Sequence, residues 1–282
     1  MAAVTQPPQK RRWWLTGLVL AWILLIAGLA WRSARRDPPT VPEQRDIADA
    51  LPVLERAAGA MTAAAIGDDR AVVLGDLRVS RDCSVTPIRA GAQAARDVTV
   101  YVRAGQALTV LKEIAAALPA DFGAEAGSSS GGRRVGLRAD AGGFVGIDAA
   151  ADSGTQVLRL RASTGCRPLA DGVRLDPTDP PAADPPDSLR RALAALGVAG
   201  SAQERAARVR EVACPDGGTA RTYTVEGVRA PPDLGRSLES VIEGATVVRA
   251  EPAGWAYRTG TDSVVIDRDE LTVRVSATLA CG

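Results

Sequence analysis

The stretch WWLTGLVLAWILLIAGLAW, Trp13–Trp31, is the most distinctive segment of this chain. It contains no charged side chain, and its nineteen residues would form an α-helix about 28 Å long at 1.5 Å per residue. The hydrocarbon core of a bilayer is roughly 30 Å thick, so this length fits one transmembrane span. Tryptophans stand at both ends, where their amphipathic rings favour the headgroup level. The sequence therefore predicts a membrane anchor at residues 13–31.

The side of the membrane on which the remaining chain lies is not decided by charge. Basic residues stand on both sides of the span, so the positive-inside rule gives nearly a tie: Lys10, Arg11 and Arg12 precede it, and Arg32, Arg35 and Arg36 follow it. A short basic segment before an apolar one is typical of a signal anchor or a secretory signal. We expect residues 1–12 to form a cytoplasmic tail and the C-terminal part to be extracytoplasmic. Cleavage after Ala30 is the alternative to a retained anchor.

The composition beyond the span limits the class of partner. Removing the three basic residues of the tail from the 34 in the chain leaves 31, against 33 acidic residues. This balance provides no excess positive charge for binding nucleic acid. Only Lys10 and Lys112 are lysines, and abundant Arg, Ala and Gly are typical of a G+C-rich bacterium. We therefore expect a bacterial cell-envelope protein that binds no nucleic acid.

Proline-rich segments divide the part of the chain beyond the span. Residues 32–45 include DPPTVP, which favours a stiff, extended spacer next to the membrane. Six prolines then fall within residues 168–186, where they cannot donate the hydrogen bonds of a strand ladder. This second segment is typical of a linker. The sequence thus predicts two domains, at residues 46–167 and 187–282.

The two predicted domains share one order of helix and strand patterns. In the first, apolar residues at helical spacing predict a helix that begins near Asp49, so that Pro52 falls in its first turn. The segment DVTVYVR, 97–103, buries its valines on one face and turns Tyr101 away. In the second, Asp187 begins the first helix. The order α-β-β-α followed by at least three strands predicts α+β domains, with helices packed on antiparallel sheets, related by internal duplication.

The element order also resembles that of a known class of domain. The order αββαββ resembles the permuted ferredoxin-like domains of alignment-complex proteins in type II secretion and pilus machines. Those proteins likewise have a short cytoplasmic tail and one anchor. The resemblance implies an assembly role in such a machine, and it rests on architecture without a matching motif.

The four cysteines occupy corresponding places in the two domains. Cys83 and Cys214 close the first strand of each domain, and Cys166 and Cys281 close the last. Cys83 also shares the parity of the apolar residues in the strand around 77–79. Bridges from Cys83 to Cys166 and from Cys214 to Cys281 would each stabilise by about 4 kcal/mol on chain-entropy estimates. Metal ligation is not favoured, because the chain has no CxxC motif and no histidine.

The absence of histidine excludes several kinds of catalytic site. Neither a Ser-His-Asp triad, nor a Cys-His pair, nor a His-ligated zinc site can be built. The GxSxG match at Gly127–Gly131 lies in a Ser/Gly-rich loop and lacks the strand-turn-helix context of a nucleophile elbow. No SxxK motif and no GK dipeptide occur. We therefore predict a protein without enzymatic activity, cofactor or metal.

Carboxylates and aromatic residues remain as candidate site residues. Asp267, Asp269 and Glu270 cluster between two strands, where they form either an ordinary acidic turn or the carboxylates of an envelope hydrolase or cation site. Trp255 and Tyr257 lie on one face of a strand, where they either anchor a partner or fill the core. The overall prediction is a non-catalytic envelope protein whose two domains bind an envelope partner. A carboxylate-dependent hydrolase is the alternative.

Overall fold

The computed structural model describes residues 9–36, 45–129, 131–170, 175, 184–198 and 207–282. The chain divides into two compact units, Met1–Val41 and Pro42–Gly282. Both predicted domains fall within the second unit, and their separation into two domains stays a prediction. Most of the predicted tail 1–12, spacer 32–45 and linker 168–186 lies outside the described residues.

The described part of the first unit is one helix, α1, which spans Gln9–Arg36. Its apolar part, Trp13–Arg32, is long enough to cross a membrane, and none of it is buried by protein. Because an exposed apolar helix of this length is incompatible with water, it fits a membrane anchor or a signal sequence.

The second unit begins with helices and strands that build a first antiparallel sheet. Its strands follow the order β1-β2-β6-β5-β4-β3, and β7 pairs with β2. The elements are α2 Ile47–Ala65, β1 Ala71–Thr86, β2 Arg89–Tyr101, α3 Ala107–Ala117, β3 Glu125–Ser128, β4 Arg134–Asp140, β5 Gly146–Asp152, β6 Val157–Ser163 and β7 Arg167–Pro168.

A second antiparallel sheet follows, with the strand order β8-β9-β13-β12-β11-β10. Position by position, this order matches that of the first sheet. The elements are α4 Asp187–Ala195, β8 Arg208–Ala213, β9 Thr219–Arg229, α5 Leu234–Ile242, β10 Thr246–Glu251, β11 Gly254–Thr259, β12 Asp262–Asp269 and β13 Thr272–Leu279. The α+β class with antiparallel sheets is thereby confirmed.

The start of α2 differs from the prediction. The carboxylate of Asp46 accepts the backbone N–H of Ala48 at 2.9 Å, so the helix begins at Ile47 and not near Asp49. Pro52 consequently lies beyond the first turn, where a proline removes one intrahelical hydrogen bond. An aspartate cap stabilises a helix by about 1 kcal/mol, and here it sets the boundary ahead of the proline.

Each sheet buries one face under the helices of its own half. In the first sheet, Val98, Val100 and Val102 are fully buried in a cluster with α2 and α3, as predicted. In the second sheet, Ile266 and Val275 are fully buried in a cluster with α4 and α5. These two clusters are the main hydrophobic cores.

The faces that the helices leave open pack against each other. Tyr101, which the alternation turns away from the first core, is only 5% exposed because it contacts a third cluster with Ala256 and Val265 of the second sheet. Across the same contact, the backbone N–H of Leu74 donates to Thr222 Oγ1 at 3.1 Å. The alternation predicted the two faces correctly, but it did not indicate that the second face is covered. The layers are thus helix, sheet, sheet and helix.

Helix α2 also packs on the second sheet. Val212 and Cys214, at the end of β8, belong to the same hydrophobic cluster as α2. Gly59 lies at the closest approach, where an added Cβ would be 1.9 Å from the carbonyl oxygen of Ala213. Any side chain at this position would therefore push the helix away from β8.

A buried arginine connects α2, β2 and β8. Arg96 of β2 pairs with Glu55 of α2 and donates to the backbone carbonyl of Glu211 in β8 at 3.1 Å. It also donates to the carbonyl of Gly75 at 3.2 Å. Burial lowers the pKa of Arg96, and the charge of Glu55 opposes that shift.

The two disulfides join Cys83 to Cys166 and Cys214 to Cys281, the pairs that the sequence predicts. The alternation that placed Cys83 is nevertheless interrupted. A bulge between Ser80 and Cys83 shifts the register by one residue, so Cys83 does not continue the parity of the apolar residues before it.

The bridged segments are not neighbours in the sheet. Cys83 lies in β1, whereas Cys166 directly precedes β7, and β1 and β7 pair with opposite sides of β2. The bridge passes over Gly91 of β2, where an added Cβ would be 2.7 Å from Cys166 Sγ. In the second half, Gly218 is similarly enclosed, since an added Cβ would be 2.2 Å from the carbonyl oxygen of Gly282. A glycine therefore makes room for the closing segment in both halves.

The contact of α2 with β8 gives a prediction that opposes helix propensity. Alanine in an exposed helix interior is about 1 kcal/mol more favourable than glycine. We expect Gly59→Ala instead to lower the free energy of unfolding by about 2 kcal/mol or more, because the methyl group forces the backbones apart. Denaturant titration of the detergent-solubilised chain measures the change.

Gly146→Ala is the matched control, since an added Cβ in β5 meets no atom within 4 Å. We expect that variant to change stability by less than about 1 kcal/mol. A Gly59→Ala protein as stable as the wild type would contradict the packing of α2 on β8.

Candidate binding cleft between the sheets

A cleft of about 780 Å³ opens where the two sheets diverge. The first sheet contributes β1, β2 and β6, and the second contributes β8, β9, β12 and β13. Arginines and carboxylates of both sheets face it. The charged residues that line the cleft are Asp76, Arg78, Asp97, Arg159, Arg210, Glu226, Asp267, Arg268, Asp269 and Arg274.

The strand alternation explains how acidic residues reach this cleft. In β12, Ser263 and Val265 are buried between the sheets, and the same face continues with Asp267 and Asp269. The face thus changes from small and apolar to acidic where the sheets separate. Asp267 and Asp269 belong to the strand, and Glu270 belongs to the turn that follows it.

Asp267 is engaged across the cleft. The hydroxyl of Tyr101 donates to Asp267 Oδ2 at 2.5 Å, and Arg249 Nη1 lies 3.7 Å from Oδ1. Burial, and then the negative charge of Asp267, raise the pKa of Tyr101 above its usual value. Asp267 is therefore an acceptor that links the two sheets, and not a solvated turn residue.

Asp269 and Glu270 have different surroundings from Asp267. Asp269 is exposed at the mouth of the cleft, and Glu270 is exposed in the turn with a φ of 46°. The three predicted acidic residues are thus neighbours in sequence with separate roles. Within the described ranges, no group of three His, Cys, Asp or Glu residues is arranged to hold a metal ion.

Two further carboxylates of the cleft are paired with arginines. Asp97 is 7% exposed and accepts from Arg78 at 2.5 Å. Asp76 accepts two hydrogen bonds from Arg210, and this interaction lowers the pKa of Asp76 below its usual value despite partial burial. Since a general acid needs a raised pKa, Asp76 is suited to holding Arg210 and not to donating a proton.

One arginine of the cleft is left available. Arg159 lies on β6 opposite Thr99 of β2, and its side chain is exposed in the cleft. In the part of the chain that the structure describes, Arg159 forms neither a hydrogen bond nor an ion pair through its side chain. Its guanidinium can therefore bind a carboxylate or phosphate of a partner in two-point fashion.

Trp255 and Tyr257 lie on the other face of the second sheet. Tyr257 is 1% exposed in the core beneath α4 and α5, and burial raises its pKa. Trp255 is half-buried and packs against Gly235 of α5. The two residues share a face as predicted, but Tyr257 fills the core and is inaccessible to a partner.

No local sequence pattern indicates this cleft. The available signal was the polar run Asp97, Thr99 and Tyr101, which alternates with buried valines in β2. Such a run is ordinary on a solvated face, and only the second sheet makes it part of a cleft.

Comparisons with protein-family models, curated proteins and solved structures found no match to this chain.

The bond between Tyr101 and Asp267 gives a second prediction. We expect Tyr101→Phe to lower the free energy of unfolding at neutral pH by about 1–2 kcal/mol, as for other hydrogen bonds to a charged acceptor. Above about pH 10 the unfolded tyrosine loses its proton while folded Tyr101 retains it, so the wild type loses stability as the pH rises.

The Phe variant lacks this titrating group, so its free energy of unfolding should fall less steeply with pH. The difference between the two slopes should be up to about 1.4 kcal/mol per pH unit. Denaturant titrations between pH 7 and 11 measure both effects. In a double-mutant cycle with Asp267→Asn, the combined loss should be smaller than the sum of the single losses. Equal pH slopes for both proteins, or additive losses, would contradict the bond.

Proposed function

We propose that this chain is a single-pass protein of the bacterial cell envelope whose extracytoplasmic region binds a partner in the cleft between its two sheets. α1 has the length and composition of an anchor. All four cysteines form disulfides, which persist in oxidising compartments outside the cytosol. Both features support a C-terminal part that lies outside the membrane.

This topology predicts protease sensitivity from outside. Protease added to intact spheroplasts should cleave the C-terminal part. A cytoplasmic marker protein in the same sample should stay intact. Protection of the C-terminal part until the cells are lysed would reverse the topology.

The proposal includes two copies of one α+β unit, at residues 46–167 and 187–282. Three observations support duplication: the shared element order, the matching strand order and the disulfide that closes each half beside a glycine. Each sheet has at least six strands, compared with four in a ferredoxin-like domain. The resemblance to alignment-complex proteins therefore gives little support for a shared function. An assembly role in a secretion or pilus machine remains an alternative proposal.

The binding proposal rests on the exposed position of Arg159 in the cleft. The cleft surrounds this exposed cation with carboxylates that already have donors, including Asp97 and Asp267. A partner that brings its own anionic group would pair with Arg159 without displacing an existing ion pair. Catalysis by carboxylates would instead need a proton donor with a raised pKa near a second carboxylate.

Charge reversal in the cleft tests this role. We expect Arg159→Glu to lower the amount of envelope partner crosslinked to the chain in native membranes at least fivefold, since like charges across an interface repel. Arg133→Glu is the matched control, because Arg133 is exposed in the turn between β3 and β4, outside the cleft. Equal crosslinking of both variants would contradict the proposed cleft.

The hydrolase alternative is tested separately with Asp269→Asn combined with Glu270→Gln. Near-isosteric amides should weaken binding by less than about tenfold. Removing a general acid or base would reduce activity by roughly 100- to 10,000-fold. If this variant stays folded and anchored but cannot complement a deletion strain, the hydrolase is favoured over the binding protein.

A further inference from the structure

One end of the first sheet brings together the beginning of the second unit and two turns. Asp46, which caps α2, accepts the backbone N–H of Ala170 at 2.5 Å. Two residues before Ala170, Pro168 pairs with Gly91 near the start of β2. We call this region the proximal end and define it by Asp46, the β1–β2 turn and the β4–β5 loop.

Two large apolar side chains project from the proximal end. Ile88, in the β1–β2 turn, is 86% exposed, and Phe144, in the β4–β5 loop, is 54% exposed. Exposure of single apolar residues is ordinary, but both of these lie on turns that the protein holds in place.

The loop with Phe144 is held in an unfavourable backbone conformation. Phe144 has a φ of 59°, a region that bulky residues rarely adopt. Arg167, 1% exposed, donates to the carbonyl of Gly143 at 2.6 Å and to that of Phe144 at 3.2 Å. It also donates to the carbonyl of Thr164 at 2.8 Å. Conformations of this kind persist where the surrounding structure enforces them, often at functional positions.

The turn with Ile88 closes the hairpin of β1 and β2, where Thr86 pairs with Arg89. Cys83, five residues before Ile88 on the same hairpin, is bridged to Cys166, which directly precedes Arg167. The half-cystine Cys166 and the buried Arg167 thus join the hairpin that carries Ile88 and the loop that carries Phe144.

The charge around Ile88 matches an anionic surface. Arg81 and Arg89 are exposed near the turn, with Asp82 as the nearby acidic residue. Arginine side chains can lie along apolar surface while their guanidinium groups contact lipid phosphates. Apolar residues flanked by arginines are typical of surfaces that rest in the headgroup region.

Few residues lie between α1 and the proximal end. Nine residues separate Arg36, the last residue of α1, from Asp46. A fully extended chain spans at most about 36 Å between these two residues. Because Asp46 belongs to the proximal end, the tether limits how far this part of the second unit can move from the bilayer.

We propose that the proximal end rests on the bilayer surface, with Ile88 and Phe144 at the boundary between headgroups and acyl chains. The partner is lipid, and this contact is separate from the cleft. The inference rests on the proposed function in one respect, namely that α1 is retained as an anchor. Such contact would fix how the cleft is presented to the envelope.

Photo-crosslinking of the full chain tests the contact. The photoreactive residue p-benzoylphenylalanine replaces Ile88, Phe144 or Leu271 in chains reconstituted into vesicles of phosphatidylethanolamine and phosphatidylglycerol. Leu271 is the matched control, since it is 81% exposed on the β12–β13 turn of the second sheet. After irradiation, mass spectrometry measures the fraction of chain that carries a lipid adduct.

We expect at least fivefold more lipid adduct at positions 88 and 144 than at position 271. Equal yields at the three positions, or crosslinks between two copies of the chain, would overturn the contact. Carbonate extraction of the same vesicles tests separately whether α1 anchors the chain in the bilayer. A chain that is extracted refutes the anchor, whereas a chain that is retained without adducts at 88 and 144 refutes the lipid contact alone.

Discussion

The contact between the two sheets is the interaction on which the cleft depends. Small and β-branched residues on the facing surfaces let the backbones approach closely, and much of the second sheet's surface is polar. Its hydroxyls bond to each other, with Thr222 2.7 Å from Thr278 and Thr224 3.0 Å from Ser276. Because each hydroxyl has a partner, burying this surface avoids the penalty of unsatisfied polar groups.

Helix α2 restricts the same arrangement from outside. Gly59 lets α2 lie directly on the end of β8, which is followed immediately by Cys214 of the second bridge. Arg96 connects α2, β2 and β8 through one guanidinium. The two halves are therefore connected on one side by helix packing and between the sheets by the bond from Tyr101 to Asp267. A cleft between them keeps its shape only while both contacts hold.

The proposed functions use different parts of this arrangement. The cleft presents Arg159 among carboxylates that already have donors, which suits recognition of an anionic group better than proton transfer. The proximal end carries Ile88 on a hairpin turn and Phe144 on a loop whose backbone carbonyl accepts from Arg167. Binding at one surface and lipid contact at the other would give an envelope protein a defined orientation for its partner.

Features that depend on a local pattern follow from the order of the amino acids alone. Apolar length predicts α1, alternation predicts the buried valines of β2, and cysteine placement predicts both bridges. What the other faces contact depends on how the elements pack in three dimensions. Period-two alternation separates two faces of a strand but does not show what covers each of them. The alternation therefore predicts a solvated Tyr101, whereas in the folded protein the second sheet places Asp267 within hydrogen-bond distance of its hydroxyl. The bulge before Cys83 and the room at Gly59 likewise depend on partners distant in sequence, so no local pattern encodes them.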